Sequence, residues 1–358
     1  MKVCILGSGL TALTLAKALV NQNIFVDLVS LNKNFKINSS RTIGISKNNC
    51  EYFNRNIINI DKIIWKLKKI EIYSDNLVNE KILNFENNKD QLFSIIKNNQ
   101  IHTILNKSLS NNKLFKKINF EKKYLESNKY NLIINTNYNS IFTKKYFSKK
   151  IEKTYKSLAY TTIIDHERVS NNIAIQIFTK FGPLAFLPIS SNKTSIVYSI
   201  YNSKKNDNVK IIELINKYNF KYNIKKIKKV ETFDLKYFVL RSYYHNNILA
   251  FGDLLHRIHP LAGQGFNMTI RDIKTLINII KVKIDLGMPI DNSVNKEFEK
   301  KLRHKNYIFS NGIDLIHKFF NLERKFDNSA FSKSVKLLGK NSYLNKIFTQ
   351  IADRGIKI

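Results

Sequence analysis

The sequence is poor in the residues that usually mark out a fold. Its 358 residues include two cysteines, four prolines, eleven glycines, one tryptophan and nine arginines. Cys4 and Cys50 cannot build a disulfide framework, which fits a reducing compartment, with the cytoplasm as the expected location. No apolar run approaches the ~18 residues of a membrane span. Acidic side chains are scarce as well: 27 Asp and Glu stand against 60 Lys and Arg, for a formal charge of +33. The 43% hydrophobic content nonetheless excludes a disordered polycation. A single core stops growing at about 250–300 residues, so the length implies two lobes or one lobe with a helical appendage.

Lysine (51), isoleucine (51) and asparagine (47) are abundant instead. An A/T-rich coding sequence inflates these types together, and that background is the plainest source of the charge. Arginine, the residue best shaped for bidentate phosphate and base contacts, is scarce, and there is no nucleic-acid-binding motif, so nucleic acid is not expected as a partner. Attraction to an anionic membrane surface survives as a functional reading. Lysine is also unevenly placed. It is absent between Lys156 and Lys180, between Lys180 and Lys193, and between Lys236 and Lys274. Stretches that resist so strong a drift are expected to be packed or to line a ligand. The Asn/Lys-rich stretches 106–130 and 202–229 read as solvated faces or loops.

Lys2–Leu6 is a short run of strand formers followed at once by Gly7-Ser8-Gly9-Leu10-Thr11-Ala12. Leu13 to Asn21 then reads as a helix and Ile24–Val29 as a second strand. Strand, glycine turn, helix and strand is the context that gives G-x-G-x-x-G/A its meaning as a dinucleotide-binding turn. Gly7 allows the tight turn, Gly9 lets the backbone approach a pyrophosphate, and Ala12 lets the helix sit close on the strand. Lys17 interrupts the apolar stretch and no small-residue cleavage site follows, so a signal peptide is not expected.

A second constellation lies at 248–272. Ile248–Phe251 reads as a strand ending in Gly252-Asp253; His256, His259 and Pro260 follow in a loop. Gly263-Gln264-Gly265 then opens a helix with Phe266, Ile270, Ile273, Ile277 and Ile280 on its apolar face. Asp253 at a strand's carboxyl end can accept bonds from a polyol. Bare amides at a helix N-terminus favour negative charge on a flat ligand. His256-x-x-His259 lacks a carboxylate or thiolate cluster to complete a shell, so no metal is expected.

On these residues the chain resembles a family: the FAD-dependent aromatic hydroxylases of the para-hydroxybenzoate hydroxylase fold, in the ubiquinone-biosynthesis branch. The matching positions are Gly7, Gly9 and Ala12; Arg41; then Gly252, Asp253, His256, His259, Pro260, Gly263, Gln264, Gly265 and Asn267; and Arg271-Asp272. Tyr155–Tyr160, Asp165-His166-Glu167 and Phe178–Pro188, with its Gly-Pro-Leu-Ala-Phe-Leu-Pro run, are similar to the family's substrate sheet. Asp314 is similar to a position in its C-terminal helices. The resemblance implies an α/β fold in which a Rossmann-like FAD-binding lobe (1–68, 93–154 and 241–290) is interleaved with a mixed-sheet substrate lobe (69–92 and 155–240). A C-terminal helical segment (291–358) follows. It implies FAD as cofactor, NAD(P)H as transient reductant, molecular oxygen, and a prenylated phenol as substrate. Gly7, Gly9 and Ala12 would hold phosphates, Arg41 would steer the phosphate and ribityl region, and Asp253 would hold the ribityl chain. Gly263–Gly265 would stabilise charge on the ring, with Pro260, Gln264 and Asn267 completing the cofactor set.

The chain departs from the family in two places. Ser30 stands where an acid would hold the ribose hydroxyls, and Thr136-Asn137 replace an internal Asp-Gly after the strand Asn131–Ile134. These departures motivate a second reading, a flavin-poor accessory protein that scaffolds a quinone-biosynthesis complex. A prenyl-lipid reductase is a third. No catalytic base is named by the sequence: Tyr155, Tyr160 and His166 are candidates only as strand residues of the substrate lobe, for which ordinary packing is the better account, and His102 falls near a family position that reaches the cofactor. Phe298–Phe320 and Ser332–Ile351 read as basic amphipathic helices that pack on the domain or lie on a membrane surface.

Overall fold

In the computed structural model, the described residues are 1–30, 40–77, 80–86, 91–119, 129–201, 208–260, 263–326 and 330–355. Strand β1 (Lys2–Leu6) carries apolar side chains on both faces and is buried on both, as a central parallel strand must be. It is followed by α1 (Leu10–Val20), β2 (Phe25–Ser30), β3 (Thr42–Ser46), α2 (Lys47–Asn56), β4 (Ile64–Leu67), β5 (Lys69–Ser74), β6 (Glu80–Glu86), β7 (Phe93–Lys97), α3 (Asn98–Ser110), β8 (Phe115–Asn119), β9 (Leu132–Asn135) and α4 (Ile141–Tyr146). The middle of the chain forms β10 (Lys150–His166), β11 (Ile173–Thr179), β12 (Gly182–Ser190), β13 (Lys193–Tyr201), α5 (Asn208–Tyr218), β14 (Ile224–Ile227) and β15 (Glu231–Leu240). Short strands β16 (Tyr244–His245), β17 (Ile248–Ala250) and β18 (His256–Arg257) lead to α6 (Gln264–Asp285), α7 (Asn292–Phe326), α8 (Ala330–Lys340) and α9 (Ser342–Arg354).

Three sheets result. A six-stranded sheet runs β16-β17-β9-β1-β2-β8, with all pairs parallel except β16 with β17. A nine-stranded sheet runs β18-β15-β10-β13-β12-β11-β5-β6, with β14 beside β10. A three-stranded sheet, β3-β7-β4, completes the set. Helices α1 and α6 bury aliphatic faces on the six-stranded sheet in one continuous core that includes Ile5, Leu13, Ile134, Phe251, Ile273 and Phe298. A second core under the nine-stranded sheet is built from Tyr160, Ile164, Phe186, Ile196 and Tyr198, closed by Ile211, Leu214 and Ile215 of α5.

Sequence expectation and structure differ in instructive ways. Helix α1 starts at Leu10 rather than Leu13, because the glycine turn itself supplies the N-cap. The basic stretch 202–229 holds α5 with its buried face, and 106–130 holds the end of α3 and edge strand β8. The span expected at Ser332–Ile351 is two helices. They part at Asn341, whose side-chain oxygen accepts the Tyr343 N–H at 3.0 Å and so starts a new helix.

Helix α7 is pinned to the six-stranded sheet near its start by Phe298, which is fully buried and packs its ring 5.5 Å from Phe251 and 6.3 Å from Tyr243. Phe298→Ala should therefore destabilise the protein by about 3–5 kcal/mol in urea unfolding, the range for deleting a buried aromatic ring.

Candidate functional site

Among the described residues, two helices open at a glycine that offers no side-chain cap. Helix α1 opens at Gly9, with no side chain bonded to its first amides and no acid in its first turn. A Cβ added to Gly9 would meet nothing within 4 Å, so the space in front of those amides is open. Helix α6 opens in the same way: Gly263 is a left-handed N-cap at φ 62°, no side chain caps it, its first turn lacks acids, and the space at Gly265 is open. Unbonded amides at the positive end of a helix dipole bind anions. By contrast, the N-terminus of α2 is closed by the C-terminal tail: Asp353 Oδ1 accepts the Asn48 N–H at 2.8 Å, and the Asp353 carbonyl accepts Ser46 Oγ–H at 3.0 Å.

Close contacts weld the open ends into one surface. Gly7, at φ 133°, donates its N–H to Val29 O at 2.9 Å, and a Cβ there would lie 2.2 Å from Thr136 Oγ1, so glycine is required. Ala12 packs buried behind it. Gly252, at φ 65°, lies so close to Thr11 that a Cβ would approach its Cγ2 to 2.4 Å, which seats the Gly252-Asp253 turn on the first turn of α1. Asp253 is exposed there. At the other end, a Cβ on Gly263 would meet the Gly44 backbone at 3.3 Å, so the loop into α6 lies against β3.

Arg41 leads into β3 between two hydroxyls that face the nine-stranded sheet. Ser40 Oγ bonds Glu231 and lies 3.0 Å from Thr161 Oγ1, while Thr42 Oγ1–H donates to Ser195 Oγ at 2.9 Å. Arg41 itself is exposed. Asn267 sits in the wall rather than on its surface. Its amide accepts from Ser46 N and Asn49 Nδ2, both at 2.9 Å, and donates to Gly44 O and Gly263 O, both at 3.0 Å. Those four bonds saturate it, so Asn267 holds β3, α2 and the α6 loop in register. Gln264 is buried with its Oε1 unbonded, and Pro260 is half-buried.

The departures have a structure too. Thr136 donates both its N–H (2.9 Å) and its hydroxyl (2.8 Å) to Leu6 O. Asn135 Nδ2 bonds Ser140 Oγ and Thr143 Oγ1, each at 2.8 Å, giving a self-satisfied neutral turn where the family has an acid. Ser30 ends β2 half-buried. His102 reaches the glycine turn: Lys117 Nζ bonds Asn106 Oδ1 at 2.8 Å, which points Asn106 Nδ2 at His102 Nδ1 (2.8 Å) and leaves Nε2–H to donate to Ser8 O at 3.3 Å. Burial holds the His102 pKa below its ordinary value, with Lys117 adding to this and the Ser8 bond opposing it.

A second polar cluster lies between the nine-stranded sheet and α7. Tyr155 Oη–H donates to Asp314 Oδ1 at 3.0 Å, Lys153 reaches Asp314 Oδ2 at 2.6 Å, and Tyr201 Oη lies 2.8 Å from His317 Nε2. His259 packs against both, with ring centroids 5.2 Å from Tyr155 and 4.2 Å from His317. Its neighbour in the motif, His256, turns away to Asp272, at 2.6 Å. His166 lies elsewhere, bonded to Glu167 O and Thr194 Oγ1, and Tyr160 is in the second core. Tyr201 and His317 went unnoticed in the sequence because 116 residues separate them.

Residues 143–284 match the family described as FAD binding domain. The fold also matches solved structures across almost the whole chain. Similar structures include p-nitrophenol 4-monooxygenase PnpA from Pseudomonas putida (TM-score 0.78, 11% identity, 99% of this chain and 98% of that one). HpxO of Klebsiella pneumoniae in complex with FAD and uric acid is another (TM-score 0.74, 10% identity, 98% and 97%). The fold is that of the FAD-dependent aromatic monooxygenases. Curated relatives include Schizosaccharomyces pombe ubiquinone biosynthesis monooxygenase COQ6, 27% identical over 125 residues, which are 35% of this chain and 26% of that protein. Escherichia coli 3-demethoxyubiquinol 3-hydroxylase is 29% identical over 154 residues, 40% and 39% of the two chains. These matches span less than half of the relatives' length.

The residues present fit the FAD of such monooxygenases: two uncapped helix ends stand behind glycines whose missing Cβ leaves the approach open, with the Asp253 carboxylate exposed beside the first. A Gly9→Asp substitution makes the test sharp, because an aspartate N-cap satisfies the α1 amides itself and repels phosphate. Calorimetry of the flavin-free variant should show stability raised by about 0.5–1 kcal/mol, while flavin absorbance of the purified protein falls at least about tenfold, 1.4 kcal/mol being one decade.

Proposed function

We propose that the protein is an FAD-dependent monooxygenase that hydroxylates the aromatic ring of a prenylated phenol in ubiquinone biosynthesis, with NAD(P)H as transient reductant. The observation that carries this reading is the pair of open helix N-termini joined through Gly252-Asp253 and β3. The named function of the curated relatives supports the substrate class. When bound, FAD supplies the redox and oxygen chemistry. The protein's own part is binding and orientation. The amides after Gly9 hold the pyrophosphate, Asp253 accepts bonds from the ribityl hydroxyls, Arg41 neutralises phosphate charge, and the Gly263–Gly265 amides hold negative charge on the ring. The lobes are assigned as 1–68, 93–154 and 241–290 for FAD and 69–92 and 155–240 for substrate, with 291–358 as a helical cover.

A peripheral membrane position on the cytoplasmic face belongs to the same proposal. Among the described residues no helix is long and apolar enough to cross a bilayer. Yet α7 exposes Ile308, Leu315, Ile316, Phe319 and Leu322 on a strongly basic chain, which suits an anionic surface holding an isoprenoid. The accessory-protein reading rests on Ser30 and the neutral Thr136-Asn137 turn, where the family's acids are missing.

The visible spectrum of the purified protein decides between them. Bound flavin near one per chain, with NAD(P)H oxidation coupled to phenol hydroxylation, is expected; a colourless protein that takes up no added FAD rejects the monooxygenase. Sedimentation with vesicles of anionic phospholipid at low salt should carry the protein down, and Leu315→Asp with Phe319→Asp should leave it in the supernatant. Failure of the unsubstituted protein to bind would remove the membrane part.

A further inference from the structure

Lys97, Lys193, Lys226 and Lys228 share a seam where the three-stranded sheet lies on the nine-stranded one. Thr42 donates its hydroxyl to Ser195 Oγ at 2.9 Å, so that side of β3 faces β13. Lys97 on β7 is paired directly with Thr42, and paired residues share a face, so it points the same way. Beneath them Ser195 is paired with Ile163 of β10, whose carbonyl accepts the Lys228 N–H at 2.9 Å, which sets Lys228 in that row. Two residues further along β10, and therefore on the same face, Asp165 lies between Lys193 and Lys226. Lys193 Nζ reaches Asp165 Oδ1 at 3.5 Å. Glu231, paired with Thr161 in the row on the other side, is engaged by Ser40.

A lysine-rich composition accounts for lysines that stand in water, as Lys226 and Lys228 do, but Lys97 is half-buried against the sheet contact. Burial is the first cause that holds its pKa below the ordinary value; Lys193 and Lys228 add to this, and Asp165 opposes it. Like charges gathered at a half-buried group are a standing cost in the free protein, which a bound anion offsets. The arrangement therefore suits a compact group of more than one negative charge, reached from several strands at once.

We propose that this seam binds the 2′-phosphate of NADPH, an inference that rests on the monooxygenase reading above and selects between the two nicotinamide donors that reading allows. NADH carries a ribose 2′-hydroxyl where NADPH carries the phosphate. A phosphate monoester bears about −1.5 to −2 charges at pH 7 and offers three strong acceptor oxygens, enough for Lys97, Lys193 and Lys228 to share. FAD has no such group: its pyrophosphate is assigned to the glycine turn of the six-stranded sheet, whereas the seam belongs to the nine-stranded one. A phospholipid headgroup can present the same phosphate chemistry, and the experiment separates the two sources.

Calorimetry of the full-length FAD-loaded protein with adenosine 2′,5′-bisphosphate and with 5′-AMP isolates the 2′-phosphate. The bisphosphate should bind at least about tenfold tighter, the order set by a single charge-assisted bond. Lys97→Gln combined with Lys228→Gln should bring that ratio to within about threefold, and the ratio of kcat/KM for NADPH over NADH should fall with it. Lys228→Gln alone, at an exposed position that folding does not depend on, should lower the ratio about threefold. Asp165→Asn removes the opposing charge and should raise the ratio, a gain that a damaged fold does not produce. No preference in the native protein, a ratio unchanged by the lysine substitutions, or one lowered by Asp165→Asn overturns the site. Sedimentation with anionic phospholipid vesicles tests the other source: lysine substitutions that release the protein from vesicles and leave the nucleotide ratio intact assign the seam to headgroups and overturn the proposal. Bound FAD with equal affinity for the two nucleotides rejects this site alone, whereas protein that takes up no FAD rejects the monooxygenase reading on which it rests.

Discussion

The organisation of this molecule depends on leaving two helix ends unfinished. Helix N-termini are normally closed by a serine, threonine, aspartate or asparagine, each worth ~1 kcal/mol over alanine and roughly a few tenths over glycine. Here α1 and α6 forgo that stabilisation at Gly9 and Gly263, in a chain that can cap a helix when required: Asp353 crosses from the tail to close α2, and Ser140 closes α4. An uncapped end is a standing deficit in the free protein, offset when an anion binds. The scarcity of glycine makes the point stronger. Of only eleven glycines, five (Gly7, Gly9, Gly252, Gly263 and Gly265) lie at these two ends or in the turn between them.

Holding two helix ends in register requires a stiff connection between sheets, and buried polar groups supply it. Asn267 ties β3 to the start of α2 and to the loop into α6 with four bonds inside one buried amide. Ser40 and Thr42 tie the same strand to Thr161, Glu231 and Ser195 of the nine-stranded sheet. A half-satisfied network would cost more than an apolar contact, so each of these bonds both stabilises and specifies. The α6 end and the packing of the nine-stranded sheet therefore share one strand, into which Arg41 leads.

Parts of this could be read from the sequence and parts could not, for a physical reason. The strand-turn-helix-strand unit at Lys2–Ser30 is local, and its glycine spacing names its own geometry, with helix and strand limits displaced by one to three residues because the turn doubles as the cap. The Gly252-Asp253 turn after β17 and the start of α6 at Gln264 were legible for the same reason. Asn267 was expected to touch the cofactor, whereas its bonds turn it into the wall behind; nothing in residue type distinguishes the two. The Tyr155, Tyr201, His259, His317 and Asp314 cluster is assembled from β10, β13, a loop and α7. No periodicity marks such a meeting, since it exists only after α7 docks on the sheet.

The missing acids then bear on how an anionic ligand is held. An acid at Ser30 would fix the ribose hydroxyls at short range, and an Asp in place of Thr136 would stand beside the glycine turn. Removing both lowers the number of directional bonds but also removes two negative charges from the site proposed to receive phosphates. The net charge of +33 adds a diffuse attraction, yet it fades over a Debye length of about 8 Å at physiological salt. Long-range charge can speed the encounter, whereas orientation has to come from groups within hydrogen-bond reach. In this chain those groups are the backbone amides behind Gly9 and Gly263. In the proposed reading, cofactor positioning is accordingly carried by glycines and helix dipoles, features that neither add to the +33 nor vary with it.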